Sequence, residues 1–273
     1  MTTANAFIPK NNLTRGFDSR GGLTKTQYLK VMDQFDNVYR PFIDEQFNGI
    51  LYLNRGSWAY HQVNAASTRK DNYFMIKVMG GMARHEVMTE DGLALVTCHE
   101  MGHILGGMPQ MLDHWWDGTH HPAAEGQADY YSTLKCAKRY FKDMDNIEYL
   151  KSVGVDPLIT SSCLDVYTNE DDVAICQRIL LASMDLAKLL KAIREEEILA
   201  QFNTPDQEVV EQTLIKAYPS SQCRVDTYFA GALCPTPISE LTSIDNISDG
   251  ACTRRDFDPV GVRPLCWFNP SQW

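Results

Sequence analysis

The sequence has no run of roughly 18 apolar residues, the length that a membrane-crossing helix needs. Its longest candidates, around Ile76–Met82 and Ile179–Leu190, are short or interrupted by charge. The opening MTTANAFIPKNN lacks the basic region and continuous apolar core of a secretory leader. Basic residues are scarce: 25 Lys and Arg face 35 Asp and Glu, for a net charge of −10, which argues against nucleic acid and anionic membrane surfaces as partners. There is no GxSxG elbow for a serine hydrolase and no Gly-rich phosphate loop for an NTPase or dinucleotide enzyme. Internal repeats and a clean Pro/Gly-rich linker are also missing. With 44% hydrophobic and 22% charged residues, the composition excludes disorder and low complexity, and 273 residues suffice for one large domain or two lobes.

Cysteine is plentiful by comparison. Eight occur, at positions 98, 136, 163, 176, 223, 234, 252 and 266. The even count points to disulfides and to an exported protein, periplasmic or extracellular, whose leader was removed and replaced by an initiator Met; a cytoplasmic location stays open. Short closures suggest Cys163–Cys176, Cys223–Cys234 and Cys252–Cys266, leaving Cys98 to Cys136, although eight cysteines allow 105 pairings. The competing reading is that several are buried small hydrophobes. Cys98 adjoins His99, but neighbouring helical positions point apart and form no Cys–His dyad.

The pattern of residues predicts an α+β chain, mainly helical with a small sheet. Residues 1–22 read as a polar arm. Thr24–Phe47 reads as a helix kinked or ended by Pro41. Leu51–Leu53 and Tyr73–Met79 read as strands, the second closing at Gly80-Gly81, where missing side chains would admit another backbone. Thr89 is a natural N-cap, with Glu90 and Asp91 in the first turn of a helix that runs to about Leu105 and stops at Gly106-Gly107. Further helices are predicted over about Pro122–Phe141, Asp171–Leu199 and Asp206–Ala217. From Pro219 onward, Pro, Gly, Ser and four cysteines predict a cross-linked, mostly irregular tail.

The segment that carries chemistry is His99-Glu100-Met101-Gly102-His103. On a helix, residues four apart share a face, so both imidazoles can reach one zinc ion, and Glu100 lies close enough to polarise a water and shuttle its proton. A catalytic zinc site needs a third protein ligand. The longer motif that ends in a third histidine fails, because its last position is Pro109. The better candidate is Glu125, 22 residues after His103, with Asp129 one turn later to hold the outer nitrogen of a ligating histidine. His114, His120 and His121 are rivals, within an aromatic-rich DHWWDGTHH segment that suits an active-site rim. Substrate would then lie extended along an edge strand, Tyr73–Met79, through Ile76, Val78, Gly80 and Gly81. The oxyanion formed on attack needs a second donor, which periodicity does not locate. Val87, Met88, Met108 and Met111 could line an apolar subsite or simply fill core.

HEMGH followed by Glu125-Gly126-Gln127-Ala128-Asp129 resembles the gluzincin metallopeptidases, especially soluble relatives of the CAAX prenyl endopeptidase family. Val63-Asn64-Ala65-Ala66 is similar to their Asn-Ala segment, and Val78-Met79-Gly80-Gly81-Met82 to the strand-then-glycine that leads into their HExxH helix. Their His-Pro-Ser with a following Arg is matched by Tyr218-Pro219-Ser220 and Arg224, so Tyr218 stands where a histidine would. The resemblance implies an active role for Tyr218 and Arg224 at the oxyanion; a buried structural tyrosine is the alternative. It spans roughly residues 50–230 and implies a zincin-like domain over 23–234, between the arm and a disulfide-braced tail, 235–273, packed on the same domain. The implied activity is a zinc-dependent endopeptidase acting on protein or peptide, with Zn2+ held by His99, His103 and Glu125 and with Glu100 as general base and acid. Alternatives are a latent or non-catalytic zinc-containing scaffold and a cell-wall peptide hydrolase.

Overall fold

The computed structural model describes residues 5–111 and 121–273, and its architecture is the expected α+β, mainly helical with one small sheet. The first helix, α1 (Lys25–Phe47), starts at a capping box: Thr24 Oγ1 accepts from the Gln27 amide and the Thr24 amide donates to Gln27 Oε1. Its buried stripe is Tyr28, Val31, Met32, Phe35, Tyr39 and Ile43. Pro41 neither ends nor splits it. Pro41 lies on the exposed face, while Tyr39 and Ile43 anchor the turns on either side, and the helix closes at Asn48 in the left-handed conformation.

The sheet comprises β1 (Asn5–Ala6), β2 (Ile50–Leu53), β3 (Ala65–Lys70) and β4 (Tyr73–Val78), in spatial order β1-β3-β4-β2. β3 and β4 form an antiparallel hairpin, β4 pairs parallel with β2, and β1 lies antiparallel against the outer edge of β3. The expectation that the Tyr73–Met79 strand is an edge is therefore corrected. Strand β4 is hydrogen-bonded on both sides, and Ile76 and Val78 are buried. Gly80 and Gly81 open the short α2 (Gly80–Ala83), where a Cβ would collide with the backbone of Trp58 and His61. They are close-packing positions and offer no edge to a substrate.

At the centre runs α3 (Glu90–Leu105), capped by Thr89 Oγ1 on the Gly92 amide and buried from Asp91 to Ile104. Opposite it, α4 (Glu125–Tyr131) continues through a π-helical turn, Ser132–Cys136, into α5 (Ala137–Phe141). Two short helices follow that sequence patterning had missed, α6 (Asn146–Val153) and α7 (Pro157–Leu164), capped by Asp145 and Asp156. Next comes α8 (Glu170–Arg194), whose Arg178 clamps Asp91 of α3 through two bonds of 2.8 Å. Among the described residues, no helix is long and apolar enough to cross a membrane.

The C-terminal third departs most from expectation. No helix forms over 206–217: the Val210 and Leu214 amides bond to Leu265 O and Trp267 O, so that stretch ties the tail down instead of closing on itself. A helix instead follows Pro219. α9 (Ser221–Leu233) is capped by Ser220, whose Oγ accepts from the Cys223 amide. This helix also overturns two of the anticipated disulfides. Cys223 and Cys234 lie at opposite ends of it, about 16 Å apart at helical rise, well beyond disulfide reach. The bonds formed are Cys98–Cys136, Cys163–Cys176, Cys223–Cys266 and Cys234–Cys252, with no cysteine free. Non-reducing peptide mapping is expected to return these four pairs, with no 223–234 link. Replacing both Cys98 and Cys136 by Ala should lower unfolding stability by about 4 kcal/mol, the chain-entropy expectation for their separation of 38 residues, as read by denaturant titration.

Candidate metal centre

His99 and His103 lie one turn apart on α3, with ring centroids 4.7 Å apart and planes nearly perpendicular. Glu125, the first residue of α4, meets them because the two helices nearly touch: a Cβ on Gly102 would lie 2.6 Å from the carbonyl oxygen of Ala128 and 2.8 Å from its Cα. Glu125 Oε2 is 3.3 Å from His99 Nε2 and 3.7 Å from His103 Nε2. The three potential ligand atoms lie within 4.8 Å of one another, all buried.

None of those three atoms has a hydrogen bond of good geometry, and neither does either carboxylate oxygen of Glu100. A buried polar atom left unpaired costs about 1–3 kcal/mol, so five of them converging in one place require an explanation. Two imidazole nitrogens and one carboxylate oxygen are the donor set of a divalent transition metal with one coordination position left over. The residues therefore fit a metal ion, and the metal-binding cluster predicted from the motif is assembled in the fold.

The outer faces of both rings are fixed. His99 Nδ1 donates to Asp129 Oδ1 at 2.7 Å, and His103 Nδ1 donates to Ala123 O at 2.8 Å, which turns both Nε2 atoms into the cluster. Asp129 is itself saturated. It accepts from Arg224 Nε (2.7 Å) and Nη2 (2.8 Å) and from the Tyr228 hydroxyl (2.7 Å). Burial pushes its carboxyl up, but Arg224 and His99 outweigh that and hold it well below the usual carboxylate range. On His99 burial acts downward, and Asp129 overcomes it to set a value of about 9. His103 has no such anion on its outer face; burial, only partly opposed by Glu125, drops it to about 4. Glu100 is pushed up to about 8, chiefly by burial, with His99 opposing and Glu125 adding to the rise.

The residues named from the Pro-Ser motif reach this centre. The Tyr218 hydroxyl donates to the carbonyl of Ala6 at 2.7 Å, and burial followed by nearby Glu125 pushes its pKa far above the usual phenol range. Arg224 is fully buried and works as a holder of Asp129, with its remaining Nη1 on Phe7 O at 2.8 Å. His121 stands outside the cluster, and His114 and His120 lie outside the described residues. A second group, Asp206 with Cys223 and Cys266, has the spacing of a metal site, but its two sulfurs are bonded to each other.

Sequence reasoning missed three participants. Tyr228 is one helical turn beyond Arg224, a pairing visible only once 221–233 is known to be helical. Ser67 of β3, buried and with its hydroxyl unpaired, lowers the proton affinity of Glu100. Phe7 sets its ring edge-on to His99, with centroids 5.1 Å apart; the apolar pair Phe7-Ile8 inside a polar stretch was the available signal.

Below pH 9 a cation must displace a proton from His99, whereas His103 is already neutral. Apparent zinc affinity is therefore expected to rise with pH, by up to about tenfold per unit between pH 7 and 9, and to flatten above. Calorimetry in two buffers of different ionisation enthalpy will read the proton release directly. Glu125→Ala should weaken binding by more than about tenfold at any pH in that range. No protein-family model, curated protein or solved structure matches this chain, and the assignment of a metal-binding His99/His103/Glu125 centre rests on the donor geometry itself.

Proposed function

We propose that the protein is a zinc-dependent endopeptidase of the gluzincin type. The observation that carries this reading is Glu100: a buried carboxylate with both oxygens unpaired, next to three converging ligand atoms and held near neutrality in its proton affinity. His99, His103 and Glu125 would hold the ion, which when bound supplies Lewis acidity toward a peptide carbonyl and toward water. Glu100 takes the proton from the attacking water and delivers it to the leaving amine, a transfer suited to a group that titrates around pH 8. Tyr218 is the oxyanion donor. Its hydroxyl already donates to a peptide carbonyl, that of Ala6, while lying close enough to Glu125 to feel its charge. Arg224 acts through Asp129 and His99 as a positioning residue. The substrate is a protein or peptide in extended form; peptide linkages of a cell wall would meet the same chemistry. Export to an oxidising compartment is supported by four disulfides and no free thiol.

Zinc-loaded protein incubated with a diverse denatured-protein and peptide mixture, read by mass spectrometry, is expected to yield new termini. Glu100→Gln should retain zinc at full stoichiometry and lower the rate by about 10²–10⁴-fold. Tyr218→Phe should leave zinc affinity unchanged and reduce kcat by about 10²-fold. Cleavage that persists undiminished in Glu100→Gln would refute the reading.

A further inference from the structure

The stretch Asn5–Ile8 engages the protein in an unusual way for a strand of its own sheet. Regular pairing extends over only two residues, Asn5 opposite Ser67 and Ala6 opposite Ala66, with Phe7 N adding a bond to Ala65 O at 3.2 Å. Beyond that, its backbone is held by side chains. Tyr218 holds Ala6 O and Arg224 holds Phe7 O. Asn64 takes both polar groups of Ile8, accepting from its amide at 3.3 Å and donating to its carbonyl at 3.1 Å. The Phe7 side chain is fully buried between the guanidinium of Arg224, 4.4 Å above its ring, and the ring of His99.

A strand edge, side chains reading successive carbonyls and one deep pocket for an alternate side chain make up the usual way a protein binds an extended peptide. Here that arrangement abuts the metal cluster: Phe7 meets the His99 ring, and Arg224, which holds Phe7 O, also holds Asp129 behind His99. We infer that the outer edge of β3, with Asn64, Tyr218 and Arg224, is the peptide-binding groove of this centre, that it accepts an aromatic side chain beside His99, and that residues 5–8 are its resident occupant. The inference rests on reading the centre as a peptidase site and adds its substrate orientation, one subsite and a latent state. Held in the same chain, the segment competes at an effective concentration on the order of millimolar, enough to exclude weakly bound peptides.

The test inserts a recognition sequence for a sequence-specific protease after Lys10, in the exposed stretch beyond Ile8, and compares the full chain before and after nicking. Two rates are read: zinc extraction by 2,6-pyridinedicarboxylate and cleavage of the peptide mixture. Loss of residues 1–10 from the nicked protein is followed by mass spectrometry, and Phe7→Ser in the same background promotes release where retention is tight. The expected result is a tenfold or greater rise in both rates, reversed by millimolar synthetic peptide of residues 1–10, with an aromatic residue at one fixed position relative to the cut. Faster zinc extraction without cleavage would uphold the occupant and defeat the peptidase reading. Unchanged extraction after release would overturn the inference, as would loss of cooperative unfolding, since residues 5–8 would then be an obligatory strand of the core.

Discussion

The Asp129 carboxylate is the interaction on which the centre depends. It is fully buried and receives four donors from three side chains: one from His99 on α3, two from Arg224 and one from Tyr228, both on α9. A charge without solvent is tolerated only when such partners surround it, and each partner is thereby constrained. Three helices are brought into register at one atom pair. Arg224, once oriented by Asp129, has one nitrogen, Nη1, facing away from the carboxylate, and it donates to the backbone of Phe7. The carboxylate therefore fixes the orientation of the His99 ring, the position of α9 and the contact to the N-terminal strand together.

The ligand helix is braced from behind with comparable care. Gly126 leaves room for the Trp267 indole, which is completely buried against α4. Gln127 donates to Gly106 O at the end of α3 and accepts from Arg263 of the tail at 2.7 Å. Two segments remote in sequence, α9 with its Arg and the tail with its Trp, thus both pack on α4. The π-helical turn in the same helix lies where Cys136 bonds Cys98, the residue just before His99. The small residues Gly102 and Gly126 flank the ligand set because the backbones and the indole occupy the space that side chains would need.

What the sequence made legible follows from how local each signal is. The α3 helix, its cap and its paired histidines depend on residues within one or two turns of each other, and they stand as read. Glu125 and Asp129 were legible because i,i+4 spacing is again a local rule. The position of β4 within the sheet was not, since pairing partners come from anywhere in the chain; a strand that reads as alternating looks the same at an edge and in the interior. The helix over 221–233 was obscured by Pro219 and by the cysteines around it, although Ser220 is a sound N-cap. That error carried into the disulfide pairing, because only the rigid length of α9 keeps Cys223 from Cys234. The helix expected at 206–217 had adequate propensity, and tertiary bonding to residues 265–267 overrode it.

The bond between Cys98 and Cys136 has a thermodynamic consequence. Many small zinc domains fold only when metal arrives, so that much of the binding energy is consumed in ordering the chain. In this protein the two helices that carry His99, His103 and Glu125 are covalently joined next to His99, and Asp129 holds that ring through its outer nitrogen. The ordering is completed by oxidation and by the buried carboxylate. An ion entering this cluster would find its ligand residues already held in place, so less of the coordination energy would go into ordering the chain than in such domains.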